Sequence, residues 1–363
     1  MDDFDRDVYC LGGLPFDAVE MPNALSILNA AARNKTRCFL STPNLNFLIS
    51  ARNDTAFRDS VIHSDLVVAD GMPLVWLAKL MRIPIRKRVA GSSIFEALKA
   101  QNPANPISVY FFGGPDGVAE KAAQSINKTK GGLTCVGYQS PGFLSIEKMS
   151  EEFRIDQINA SNADFLVVAL GAKKGQSWIV GNLSSIKSPI ISHLGAVINF
   201  EANTLKRAPV FLQNIGLEWL WRIKEEPSLW RRYWHDGLNL LTLLATTIIP
   251  HALWLVFNQR RFEKTTRKNI VRLECDASTC RLIIPDVVLD PISPAIRSQF
   301  RQASLQKMDV VLDLTDTEYM SPGFLGLLLL LKKHLDKHAM KLKFDGVHPK
   351  MERLMKWSGI TDL

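Results

Sequence analysis

Cysteine is sparse in this 363-residue chain, and the glycine loops and ligand spacings that announce common cofactors are missing. The five cysteines (Cys10, Cys38, Cys135, Cys275, Cys280) are odd in number and scattered, with no Cys-x-x-Cys. They are expected as reduced thiols, which excludes a disulfide framework and a zinc site. No Gly-x-Gly-x-x-Gly follows a candidate strand and no P-loop occurs, which speaks against a nucleotide-cofactor oxidoreductase. No Asp-x-Asp lies near a strand end in residues 1–205, so a divalent ion on a nucleotide diphosphate is not expected, and no cofactor is called for. His334 and His338 share a helix face but lack the His-Glu-x-x-His carboxylate, and they read as solvent-facing. The N-terminal run Met1-Asp2-Asp3-Phe4-Asp5 is acidic without an apolar core, and is not expected to be a secretory signal.

What is present is a foldable chain with uneven charge. Hydrophobic residues make up 47% and charged residues 22%, as in globular proteins, and the length favours two domains. The net charge is +8, and residues 206–268 hold eleven Lys or Arg against five Asp or Glu. One basic surface facing an anionic partner is therefore expected. No RNA- or DNA-binding motif accompanies it, so nucleic acid is not the expected partner.

Residues 1–205 read as strand–helix repeats, with apolar strands at 36–41, 66–69, 107–112, 165–170 and 190–193. Helical patterns lie at 21–34, 73–81, 92–101, 117–127 and 145–159. Apolar strands alternating with amphipathic helices imply an α/β fold with a mostly parallel, Rossmann-like sheet, whose strand ends line one crevice. Residues 237–259 lack Asp, Glu, Lys and Arg altogether. This stretch is long enough to span a bilayer, but Pro250, His251 and three threonines dilute it, and arginines flank both ends. An interfacial helix or kinked hairpin fits, with a spanning helix and a buried inter-domain helix as alternatives. Beyond 268, strands at 270–273, 280–284 and 310–313 and helices at 294–307, 325–338 and 350–358 predict a smaller α/β module.

The chemistry is sought at the strand ends. Asp70-Gly71 closes the 66–69 run, presenting a carboxylate that could serve as a base or as a helix N-cap. Arg86-Lys87-Arg88 leads into a turn suited to an anion. Thr42 and Asn44 could bond a sugar or merely cap a helix. Gly113 and Gly114 could bring backbone amides to a phosphate. Gly171, Lys174 and Gln176 form either a diphosphate cradle or a solvated turn, and His193 ends the last strand. Arg207, Arg222 and Arg232, set among tryptophans, could bind phosphate or be snorkelling surface cations.

Taken together, Thr42-Pro43-Asn44, Ala69-Asp70-Gly71-Met72, Arg88-Val89-Ala90-Gly91, Phe112-Gly113-Gly114, Leu170-Gly171-Ala172, Arg207-Ala208-Pro209, Gly216-Leu217-Glu218-Trp219, Glu226-Pro227 and Arg232-Tyr233 resemble the WecG/TagA/CpsF family of glycosyltransferases over about residues 8–235. The resemblance implies inverting, metal-independent transfer of a sugar, often of N-acetylmannosamine type, from a UDP-sugar to a polyprenyl-diphosphate-linked acceptor at the cytoplasmic face of the inner membrane. It makes Asp70 the general base, puts Thr42 and Asn44 in the sugar and acceptor pocket, gives Arg88 to phosphate, and has Arg207, Arg222 and Arg232 close over the diphosphate. The family's usual Gln after the fourth strand aligns with Gly175, leaving Gln176 as the candidate replacement. Residues 313–327, with 344–347 and 354–359, resemble a STAS domain whose phosphorylated serine is lost from Ser321-Pro322-Gly323-Phe324, which implies an interaction module for a protein partner. The expected units are a glycosyltransferase domain at 1–235, an apolar membrane-associated segment at 236–268 and a STAS-like domain at 269–363. A catalytically degenerate membrane scaffold is the alternative, motivated by the altered 173–176 loop.

Overall fold

The computed structural model of the chain describes residues 2–265, 271–276 and 278–360. A hairpin of β1 (Val8–Leu11) and β2 (Leu14–Asp17) precedes the main sheet. That sheet contains β3 (Cys38–Ser41), β4 (Leu66–Val67), β5 (Ile107–Gly113), β6 (Leu133–Gln139), β7 (Phe165–Ala169) and β8 (Ile190–His193), in the order β4-β3-β8-β7-β5-β6. Every pairing in it is parallel, as near-continuous apolar strands demand. Alternation along the strands fills two cores. Val109, Phe111, Phe165 and Val167 face one side, while Tyr110, Phe112, Leu166 and Val168 face the other. Trp178 is buried in the second core and stacks on Phe112 at 4.3 Å.

The predicted 66–69 strand pairs only over Leu66–Val67. Beyond it, Val68 N–H donates to Ser41 O and Asp70 N–H to Pro43 O, so the chain stays extended while leaving the ladder. The single helix predicted at 145–159 is two, Ile146–Met149 and Glu152–Ala160, because the Ser150 hydroxyl folds back onto Ile146 O at the end of the first.

The C-terminal part forms a second sheet of β9 (Arg272–Cys275), β10 (Thr279–Ile283), β12 (Asp309–Asp313) and β14 (Leu342–Asp345), with a small pair of β11 (Val287–Val288) and β13 (Tyr319–Met320). The expected strand began at Ile270, which lies outside the described residues, as does the expected boundary at 268/269. The expectation of reduced thiols fails at Cys275 and Cys280. They stand opposite one another in the antiparallel β9–β10 ladder, with Cα atoms 4.1 Å apart, and are disulfide-bonded. Cys10, Cys38 and Cys135 are buried free thiols.

The apolar stretch forms no hairpin. Residues 227–262 run as one helical rod, long and apolar enough by length and composition to cross a membrane. The turn Leu244–Ile248 is π-helical and ends two residues before Pro250, and this widened turn accommodates a proline that lacks the N–H donor. Leu243, Ile248, Leu255 and Phe262 pack into the core shared with the C-terminal part, and His251 stacks on Trp357 at 5.6 Å. Leu241, Leu253, Val256 and Phe257 on the other side are exposed. The expected 235/236 boundary falls inside the helix Trp230–Leu243.

One core thus joins the hairpin, the rod and the C-terminal part. The helix Pro322–Lys337 lies against the hairpin so closely that a Cβ on Gly326 would stand 2.1 Å from Val8 O. Lys333 of that helix is fully buried, bonding Asp65 Oδ1 at 2.6 Å and Ser64 O at 3.1 Å, and pairing with Asp3 Oδ2 at 3.0 Å. Replacing Lys333 by Met leaves these oxygens without their cation and should cost about 3–5 kcal/mol. Urea unfolding of the whole chain should show that loss in one cooperative transition. A loss under about 1 kcal/mol, or separate transitions for the two halves, would contradict the shared core.

Candidate active site

The C-terminal ends of β3, β4, β5, β7 and β8 open on one cavity of about 670 Å³, roofed by residues 216–240. An open parallel sheet presents its reactive groups at this edge. Thr42, Asn44, Asp70, Arg88, Gly114, Gly171, His193, Arg222 and Arg232, all expected as site residues, line it.

Asp70 does not cap the following helix. That helix begins at Met72 with Gly71 as its N-cap, and the Asp70 carboxylate instead reaches across to accept from Gly91 N–H at 3.4 Å. The group is half-buried against the cavity wall, and desolvation there pushes its carboxyl up to about 6. Arg88 opposes that shift and the Glu218 carboxylate adds to it. A carboxyl poised there is largely ionised at neutral pH and still basic enough to accept a proton.

Arg88 is not left open for a ligand. Its Nη1 donates to Glu218 Oε2 at 2.7 Å, and both side chains are mostly buried. Asn44 spends its carbonyl oxygen on capping, accepting from Phe47 N–H at 3.2 Å, which leaves its amide nitrogen free of that duty. Thr42 is buried beside Gly91. His193 is pushed down to about 4 by burial and stays neutral, with Nε2 buried and without a hydrogen-bond partner among the described residues. Its ring takes the space beside Gly175, where a Cβ would lie 2.3 Å from His193 Cδ2. Arg222 and Arg232 supply the remaining cations, Arg222 lying 3.5 Å from Glu226 and Arg232 stacking over Tyr233.

Four expected site residues lie outside the cavity lining. Gly113 is the last residue of β5 and pairs with Ala169. Lys174 bonds Leu144 O. Gln176 is fully buried and donates to Ser41 Oγ at 2.8 Å, so it does not deliver its amide to the site in place of a residue at 175. Arg207 bonds Ser93 Oγ at 2.6 Å and pairs with Glu96. Conversely, the cavity contains Glu218 and Asp236, which were not expected to act there. Asp236 accepts from Asn46 Nδ2 at 3.1 Å, tying the roof to the helix Leu45–Asn53, and burial raises its pKa. A carboxylate inside a basic segment gives no sign of which distant arginine it will meet. Among the described residues no group of three or more His, Cys, Asp or Glu side chains is placed to hold a metal ion.

The family profile described as "Glycosyl transferase WecG/TagA/CpsF family" matches residues 9–253. An N-acetylglucosaminyldiphosphoundecaprenol N-acetyl-beta-D-mannosaminyltransferase of Bacillus spizizenii is 25% identical over 220 residues, covering 60% of this chain and 84% of that protein. Crystal structures of two SsGBP mutation variants align over 69% of this chain, and over 84% and 86% of theirs, at 12% and 13% identity. Their TM-score of 0.21 carries no argument.

The Asp70 environment yields a stability test. A carboxyl with a pKa of about 6 when folded, against the usual 3.8, binds its proton more tightly in the folded chain. Stability is therefore lost as pH rises from about 4 to about 6, and stays lower above. Asp70→Asn removes this cost. Its melting temperature relative to the unaltered chain should rise across that window and level off, corresponding to about 1–3 kcal/mol. A difference independent of pH would contradict the perturbed carboxyl.

Proposed function

The chain belongs to the Glycosyl transferase WecG/TagA/CpsF family, and on that premise we propose that it transfers a sugar from a UDP-sugar to a polyprenyl-diphosphate-linked acceptor, with inversion and without a metal ion, in the assembly of an exopolysaccharide or other surface glycan. The observation that carries the reading is the half-buried Asp70 carboxyl at a strand end, in a cavity it shares with Arg88, Arg222 and Arg232. An N-acetylmannosamine-type sugar and an undecaprenyl-diphosphate acceptor are favoured by the name of the Bacillus spizizenii relative.

In the reaction, Asp70 takes the proton of the acceptor hydroxyl as its oxygen attacks the anomeric carbon. The bond from that carbon to the diphosphate oxygen breaks on the opposite face, and its electron pair leaves with UDP. The arginines stabilise the charge that develops there, a task otherwise given to a metal. Thr42, Asn44 and the neutral imidazole of His193, which line the cavity, serve to hydrogen-bond sugar hydroxyls in this reading.

The acceptor's lipid calls for a membrane surface. The exposed apolar side of the 227–262 rod, with Trp230 and Trp234 near its start and arginines at both ends, suits an interfacial position on the cytoplasmic face of the inner membrane. The C-terminal part is read as a STAS-like brace and a site for a protein partner. Its Ser321 is buried, with the hydroxyl donating to Asp290 Oδ1 at 2.9 Å and accepting from Phe324 N–H, which supports no phosphorylation role. The scaffold alternative draws no support from residues 173–176, which form the first turn of the helix Ala172–Asn182 rather than a loop and whose side chains are used in the fold: Lys173 pairs with Asp54, Lys174 with Leu144 O and Gln176 with Ser41.

UDP release from a panel of UDP-sugars with a polyprenyl-diphosphate acceptor tests the reading. Asp70→Asn should lower the rate by about 10²–10⁴, EDTA should leave the unaltered chain's rate unchanged, and kcat/KM should fall as pH drops through about 6. Near-normal turnover by Asp70→Asn would sink the assignment. Separately, the chain should co-sediment with anionic lipid vesicles, and the pair Trp234→Glu and Phe257→Glu should reduce that binding. Equal sedimentation of both proteins would remove the membrane placement.

A further inference from the structure

Glu218 holds Arg88, and a second cation stands ready to take its place. Glu218 Oε2 lies 2.7 Å from Arg88 Nη1, while its Oε1 lies 3.9 Å from Arg207 Nε. The three side chains are only 11–15% exposed. Arg207 is fixed on the helix Gly91–Ala100 through Ser93 Oγ and Glu96, yet its buried Nε has no hydrogen-bond acceptor among the described residues. A buried donor left unpaired is costly, so an acceptor within 4 Å has a destination.

Charge balance supplies the reason to move. The cavity lining carries Arg88, Arg222 and Arg232 against Asp70, Glu218 and Asp236. A diphosphate seated on Arg88 brings further negative charge against the Glu218 carboxylate, in a site largely screened from water. We infer that Glu218 is a two-position carboxylate, which gives up Arg88 to the donor diphosphate and passes to Arg207 Nε. Arg207 is then a positioning residue that never touches the donor. The inference rests on the diphosphate-donor reading above and deepens it. Because Glu218 opens the helix Glu218–Glu225, its shift also adjusts the roof that carries Arg222.

Calorimetric titration of the full chain with UDP separates this from a static ion pair. Glu218→Gln removes the competing charge and should lower the Kd for UDP about tenfold. Arg207→Gln removes the destination and should raise it about tenfold, and the double variant should behave as Glu218→Gln alone. A Kd for Glu218→Gln that is unchanged or raised, or effects of the two substitutions that simply add, would overturn the switch while leaving the donor reading in place. If the unaltered chain shows no affinity for UDP, the donor reading fails and the inference falls with it. Should Glu218→Gln not fold, as judged by circular dichroism, the opposite signs expected of Glu218→Ala and Arg207→Gln decide the matter.

Discussion

Strand β4 contributes two residues to the sheet, and the site depends on how that short edge is held. Val67 N–H donates to Asp17 Oδ2 at 2.7 Å, across the outer edge of the sheet. Asp17 is gripped by Arg6 through two bonds of 2.7 and 3.0 Å, and Arg6 also reaches Ser64 O. Lys333 bonds the same Ser64 carbonyl and the Asp65 carboxylate from the C-terminal side. Such a network is costly to bury and costlier to break, so it is a poor source of net stability but a firm locator. What it locates is the stretch from Ser64 to Asp70. A hairpin and a helix more than 250 residues apart in sequence therefore set where the Asp70 carboxyl stands.

The roof completes what the sheet begins. Residues 216–240 carry Arg222 and Arg232 into the cavity and cover the side on which Asp70 stands. The same substitution of protein for solvent raises the carboxyl's basicity and strengthens its attraction to the arginines. After a break at Glu226 the roof runs on into the apolar rod, whose inner side is braced by Trp357 and Tyr319 of the C-terminal part. Hairpin, rod and C-terminal part thus pack in one core, and the expected 235/236 boundary falls within a helix of that rod.

The main sheet was legible because its strands are apolar runs bounded by polar ends, and the helix Met21–Asn34 begins and ends where its pattern does. The β1–β2 hairpin was not legible. Its strands have four residues each, too short for periodicity, although Gly12-Gly13 between them is a turn signal. Edge strand β6 alternates buried and exposed residues only in part and passes for loop. At the site, strand-end position brought out Asp70, Thr42, Asn44, His193 and Gly171, since topology alone delivers strand ends to one crevice. The pairing of Arg88 with Glu218, 130 positions apart, leaves no local trace. Gln176 misleads for a related reason: neighbours in a helix point in different directions, and residue 176 faces the sheet. The disulfide between Cys275 and Cys280 depends on strand register, which two isolated cysteines do not reveal.

The central claim is that burial at the end of β4 turns an ordinary aspartate into a base suited to neutral pH. Carbon-13 NMR of aspartate-labelled full-length chain, with the Asp70 signal assigned by its loss in Asp70→Asn, reads that carboxyl directly. The account predicts a midpoint of about 6 for this resonance. A midpoint near the usual aspartate value of about 4 would contradict it.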